Sequence, residues 1–82
     1  MIRLTLYSRP DCHLCHEMRA VIDAVAREVS LTVEEVDVDR DEVLAARWGN
    51  DVPVLVVNGR TAFKHRVDPR ALRARLAREP VA

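Results

Sequence analysis

The stretch Ile2-Arg3-Leu4-Thr5-Leu6-Tyr7-Ser8-Arg9-Pro10-Asp11-Cys12-His13-Leu14-Cys15 opens the chain, and its hydrophobic period changes where it ends. Ile2, Leu4 and Leu6 alternate with Arg3, Thr5 and Tyr7, a period of two that predicts a strand. From Leu14 the apolar residues Leu14, Met18, Val21, Ile22, Val25 and Val29 recur at helical spacing, with Glu17, Asp23, Arg27 and Glu28 off that stripe. Cys12 and Cys15 therefore stand where a strand hands over to a helix. Asp11 is the expected N-cap, which places Cys12 in the first helical turn. Residues three apart on a helix share a face, with Cβ atoms about 5–6 Å apart, so this pair can close into a disulfide and reopen with little backbone movement.

Outward from that centre the periods continue to alternate. Leu31 to Val38 is valine-rich and reads as a second strand, with its alternation slipping at Glu34 and Glu35. Asp41 to Trp48 suits a short helix, with Gly49 in the C′ role that ends it. Val54 to Val57 is a continuous apolar run, the pattern of a strand covered on both faces. Asn58-Gly59 supplies a two-residue hairpin turn into a strand through Thr61 to His65. Asp68-Pro69 gives N-cap and N1 residues to a last helix with Leu72 and Leu76 at i, i+4. The expected order is βαβαββα in one domain over residues 1–82. A crossover helix makes the first two strands parallel, and the hairpin makes the last two antiparallel. A four-stranded mixed sheet with three helices, the minimal thioredoxin-fold order and an α/β class, follows.

Composition narrows the chemistry. Thirteen basic residues, twelve of them arginine, balance thirteen acidic ones, so no net field favours nucleic acid or a membrane surface. The basic run Arg66, Arg70, Arg73, Arg75, Arg78 reads as a solvated helix face. The first ten residues lack the apolar core and cleavage site of a signal peptide, and no segment is long enough to cross a bilayer, so a cytoplasmic location is expected. There a cysteine pair is more often catalytic or metal-binding than structural. These are the only two cysteines, so any internal disulfide joins Cys12 to Cys15, and so short a loop adds little stability. The residues point to a dithiol–disulfide oxidoreductase.

Thiol–disulfide exchange needs a thiolate, hence a first cysteine with its pKa below the free value of about 8.5. At a helix start, Cys12 faces unpaired N–H groups and the positive end of the dipole. His13, His16 and Arg9 are candidate sources of further positive charge, and Asp11 opposes them, making Asp11, His13 and His16 the expected pKa-tuning residues. Cys15, one turn deeper beside Leu14 and Met18, is expected to be the less exposed thiol.

Tyr7-Ser8-Arg9-Pro10-Asp11-Cys12-His13-Leu14-Cys15 and Val52-Pro53-Val54-Leu55-Val56-Val57-Asn58-Gly59, in that order and at that separation, resemble the two signature segments of the glutaredoxins and of the small bacterial proteins related to them. The likeness spans roughly residues 1 to 78. It implies that Cys12 attacks, that Cys15 resolves, that Pro53 is a cis-proline facing them, and that the Val52 backbone is free to bond an extended substrate. It also matches Arg9 to a basic position that helps bind the glutathione carboxylate. Two places depart from the glutaredoxin pattern: Asp51 stands where threonine is usual, and Phe63-Lys64 where a Gly-Gly pair admits glutathione. Protein or low-molecular-weight disulfides are the implied substrates of a monomer in cell redox homeostasis and electron transport. It needs no bound cofactor, and either glutathione as co-substrate or a thioredoxin-reductase-type donor would supply its electrons.

Other chemistries use the same residues. Cys12-His13-Leu14-Cys15-His16 also fits the C-x-x-C-H pattern of covalent haem attachment, but Met18 is too close along the helix to be the opposite axial ligand. A metal-binding module, holding zinc or a cluster bridged between two chains, is the main alternative. It would need ligands from elsewhere, because Cys12, His13, Cys15 and His16 all belong to one turn. A fold-keeping partner-binding domain with a thiol switch is a third.

Overall fold

The computed structural model describes residues 1–80, so the last two positions of the expected domain lie outside the described residues. In chain order come β1 (Ile2–Ser8), α1 (His13–Val25), β2 (Leu31–Asp37), a 3₁₀ turn (Val38–Arg40), α2 (Glu42–Trp48), β3 (Val54–Val57), β4 (Arg60–Lys64) and α3 (Pro69–Ala77). The strands form one sheet in the order β2-β1-β3-β4. β1 runs parallel to β2, from Ile2 opposite Leu31 to Ser8 opposite Asp37, and antiparallel to β3, with Tyr7 opposite Val54. β3 and β4 are antiparallel, with a register shift between Leu55 and Val56.

The central strands sort their side chains by parity. Ile2, Leu4 and Leu6 of β1 and Leu55 and Val57 of β3 join Met18, Ile22 and Val25 of α1 and Leu72 and Leu76 of α3 in the main core. The intervening residues Tyr7, Val54 and Val56 face the other way, against Val38, Leu44, Val52 and Trp48. This period of two is what lets one sheet carry helices on both faces. Phe63 is half-buried against the main core. Both edge strands, β2 and β4, leave polar residues outward, and the Glu34-Glu35 slip falls on the β2 edge where both are exposed.

Four local expectations are corrected. Asp11 is not the cap of α1. Cys12 itself is, with extended backbone (φ −105°, ψ 107°) and its Sγ accepting the Cys15 N–H at 3.1 Å. A sulfur thus fills the acceptor position usually held by oxygen, and Asp11 stays exposed in the preceding turn. β2 stops at Asp37, whose carboxylate accepts the Asp39 N–H at 2.9 Å and turns the chain into the 3₁₀ segment that includes Val38. Gly49 is right-handed (φ −55°, ψ −33°) and caps α2 without a C′ reversal. What requires glycine there is room: a Cβ would press on the Ala45 carbonyl oxygen and come within 2.8 Å of Arg9 Nη2. His65 lies past β4 with φ +68°, and its N–H donates to the Pro53 carbonyl at 2.7 Å.

The N-cap of α3 is as expected, and α2 starts one residue later than expected, with Asp41 as its N-cap. The Asp41 carboxylate accepts from Val43 and Leu44 N–H, and that of Asp68 from Arg70 and Ala71 N–H with Pro69 at the helix start. Asn58 and Gly59 both have positive φ (46° and 84°), the pair of signs that a type I′ hairpin turn demands.

Candidate active site

The antiparallel pairing of β1 with β3 brings together two segments far apart in sequence. Tyr7 stands opposite Val54, so the loop leaving β1 towards Cys12 and the Val52-Pro53 segment entering β3 lie at the same end of the sheet. The Val52–Pro53 peptide bond is cis, and Pro53 is buried. Cys12 and Cys15 form a disulfide with Cα atoms 5.1 Å apart. Cys15 is fully buried and Cys12 half-buried, so the residue that caps the helix is also the more exposed of the two.

The remaining candidates divide into those engaged within the protein and those facing solvent. His13 and His16 are exposed, and His13 Nε2 lies 3.9 Å from the Glu17 carboxylate. Among the described residues, no group of three or more histidine, cysteine, aspartate or glutamate side chains converges on a metal-sized space. Arg9 is engaged within the protein: Nη1 donates to the Gly49 carbonyl at 2.7 Å and Nε to Asp39 Oδ1 at 3.0 Å. Of the Val52 backbone groups that the resemblance leaves free for a substrate, the N–H donates to the Trp48 carbonyl at 3.0 Å. The α2 C-terminus needs such donors for its orphan carbonyls, and the chain leaving it supplies them from Asp51 and Val52.

Several residues at this end of the sheet gain meaning only from the fold. Trp48, nearly buried, stacks on Tyr7 with ring centroids 5.4 Å apart, while the cations of Arg47 and Lys64 lie 4.6 and 5.8 Å from its ring. Lys64 Nζ is 3.4 Å from Asp51 Oδ2, so the two departures noted in the sequence pair with each other. Ser8, the one buried polar residue among the described residues, donates to Glu35 Oε2 at 2.8 Å. Glu35 in turn meets Arg19 of α1, whose pKa is raised chiefly by its hydrogen bond to Asp23. Helix α1, which carries Cys15, is thereby tied to β1 and β2. A cleft of about 350 Å³ runs beside the cysteine turn between α1 and the 65–69 segment, with Leu14, Met18, Val21 and Val67 along its apolar wall.

Residues 3–77 match the family described as Glutaredoxin-like domain (DUF836). The chain belongs to the glutaredoxin-like domain family. A curated glutaredoxin-like protein of Dictyostelium discoideum is 32% identical to this glutaredoxin-like chain over 73 residues, covering 82% of the chain and 68% of that protein. An X-ray structure of a structural-genomics target protein from X. campestris superposes with a TM-score of 0.77 at 38% identity, covering 94% of this chain and 99% of that one. A variant thioredoxin from Halobacterium salinarum gives 0.71 at 25% identity, covering 99% and 78%. The glutaredoxin-like chain thus has a thioredoxin fold with its cysteine pair at disulfide distance.

Proposed function

We propose that this glutaredoxin-like domain is a thiol–disulfide oxidoreductase that reduces or exchanges protein or low-molecular-weight disulfides. The observation that carries the reading is the asymmetry of the pair: Cys12 is half-buried and its Sγ receives the Cys15 N–H, while Cys15 is sealed in the interior. In the reduced protein that N–H, with the α1 dipole behind it, favours a Cys12 thiolate. The thiolate attacks one sulfur of the substrate disulfide, forming a mixed disulfide and expelling the other sulfur as thiolate. Cys15 loses its proton and attacks Cys12 Sγ, which releases the second substrate thiolate and leaves the Cys12–Cys15 bond. Two electrons have passed from the protein to the substrate, and an external thiol or dithiol returns them. The Pro53 segment and the apolar cleft beside Leu14 form the surface on which the substrate lies. The likeness to thioredoxins supports this chemistry, and the glutaredoxin-like family name makes glutathione a co-substrate to test.

Reduced Cys15→Ser, offered oxidised glutathione and bis(2-hydroxyethyl) disulfide, should carry one adduct on Cys12 by mass spectrometry, and Cys12→Ser none. A Cys15→Ser protein that takes up neither would end the reading. Fast, selective release of the glutathione adduct by glutathione would establish a glutaredoxin activity.

A further inference from the structure

We propose that Arg9 is a positioning residue that locks the Cys12 turn to the Val52-Pro53 segment, rather than a ligand for a substrate carboxylate; this rests on the oxidoreductase reading above. Three segments meet at its guanidinium. Arg9 itself lies three residues before Cys12, Gly49 lies four before Pro53, and Asp39 sits on the 3₁₀ turn after β2. Nη1 donates to the Gly49 carbonyl at 2.7 Å, and Nε donates to Asp39 at 3.0 Å. Gly49 and its neighbours need that donor, because the last carbonyls of α2 have no helical partner and the C-terminal end of a helix favours a cation. The Trp48 carbonyl is covered by the N–H groups of Asp51 and Val52, and the Gly49 carbonyl by Arg9.

A second observation accompanies those bonds. A Cβ at Gly49 would fall 2.8 Å from Arg9 Nη2, so the guanidinium lies against the glycine and a side chain there would displace it. The charge of Arg9 is also matched by Asp39 at contact distance, which leaves it a weak attractor for a distant anion. The arginine therefore holds two loops in register: the one bearing the attacking sulfur and the one against which a substrate disulfide lies. In-line attack on a disulfide depends on that register, whereas reaction with a small alkylating reagent does not.

The test uses the reduced full chain in single turnover with two probes, neutral bis(2-hydroxyethyl) disulfide and anionic oxidised glutathione. Arg9→Ala should slow both alike, by roughly tenfold or more as expected for lost alignment. Gly49→Ala, which keeps the charge of Arg9 but displaces it, should slow both in the same sense, and Arg9→Lys should recover only part. In a Cys15→Ser background, the pH profile of Cys12 alkylation by iodoacetamide should superpose on that of the Arg9→Ala double variant. Hydrogen exchange at the Val52 amide of the oxidised protein should accelerate in Arg9→Ala while amides of α3 keep their protection. Slowing confined to oxidised glutathione, with Gly49→Ala silent, would make Arg9 a substrate ligand and overturn the proposal. A shifted alkylation profile would make it a charge acting on Cys12, and unchanged rates would remove the role altogether. If the wild type exchanged with neither disulfide, the oxidoreductase reading would fail, and the Val52 amide would still report whether Arg9 holds the segment.

Discussion

Asp51 Oδ2 and Lys64 Nζ stand 3.4 Å apart, joining the residue two before the cis-proline to the last residue of β4. Sequence made each of them a separate departure from the glutaredoxin pattern, one anionic and one cationic. Paired, they largely cancel, and Lys64 is held near the Trp48 ring. An anionic disulfide approaching Val52 consequently meets a balanced pair in place of either lone charge.

The two halves of that pair should act oppositely on charged substrates. Asp51→Ala leaves Lys64 unopposed and should raise the exchange rate with oxidised glutathione a few-fold relative to neutral bis(2-hydroxyethyl) disulfide, and Lys64→Ala should lower it. Both effects should fade at about 1 M salt, where the Debye length is roughly 3 Å. Neither variant should change folding stability by more than about 1 kcal/mol, the range of exposed ion pairs, as measured by urea denaturation. Equal rate changes on both disulfides would show that charge is not the cause.

The domain's two glycines should fail for different reasons. Gly59 has φ +84° with open space where a Cβ would sit, so Gly59→Ala should cost about 1–2 kcal/mol of backbone strain without touching exchange rates. Gly49 has ordinary dihedrals and no room, so Gly49→Ala should cost about 1–3 kcal/mol through overpacking and also slow exchange. Chemical denaturation and single-turnover rates on the same samples separate the two.

Leu72 fastens α3 to the sheet with no exposed surface. Leu72→Ala should lower stability by about 2–5 kcal/mol, the usual cost of emptying a buried leucine site. In a domain of this size that is a large share of the total, so the midpoint of urea unfolding should fall steeply. A loss under about 1 kcal/mol would contradict the packing of α3 described above.

Glu79 should give acid sensitivity of a stated sign. Its carboxylate accepts from Arg75 at 2.7 Å and from Asn58 Nδ2 at 2.7 Å, and these bonds, Arg75 first, hold its pKa below the ordinary 4.5. A group with a lowered folded-state pKa contributes its full stabilisation above the unfolded value and loses it as pH falls through the folded value. The stability difference between wild type and Glu79→Gln should therefore be constant from pH 7 to about 5.5 and shrink below pH 4.5. A difference that grew on acidification would refute the assignment.

Much of the site was legible because its signals are local. The strand-to-helix change of period around Cys12, the Val52-Pro53 run and the Asn58-Gly59 turn each depend on neighbours within a few residues. Burial of Cys15 followed from its place one turn into the helix, beside Leu14 and Met18. The cap of α1 was misplaced by one residue because Asp11 and Cys12 both carry an acceptor, and only backbone geometry chooses between them. Gly49 signalled a helix end correctly while hiding its second reason, the guanidinium lying against it.

Sequence alone determined the order of elements, the parity that splits β3 between two cores, and the pairing of Cys12 with Cys15, since periodicity and cysteine count involve no long-range contact. Tertiary structure decided what the polar groups do: Arg9 bonds a carbonyl 40 residues away, Asp51 finds Lys64 across the hairpin, and the Val52 N–H turns back to the Trp48 carbonyl at the end of α2. Hydrophobic patterning is short-range and repeats along the chain. A hydrogen bond is a single directional contact of about 3 Å, and its partner is fixed only when distant segments close on one another.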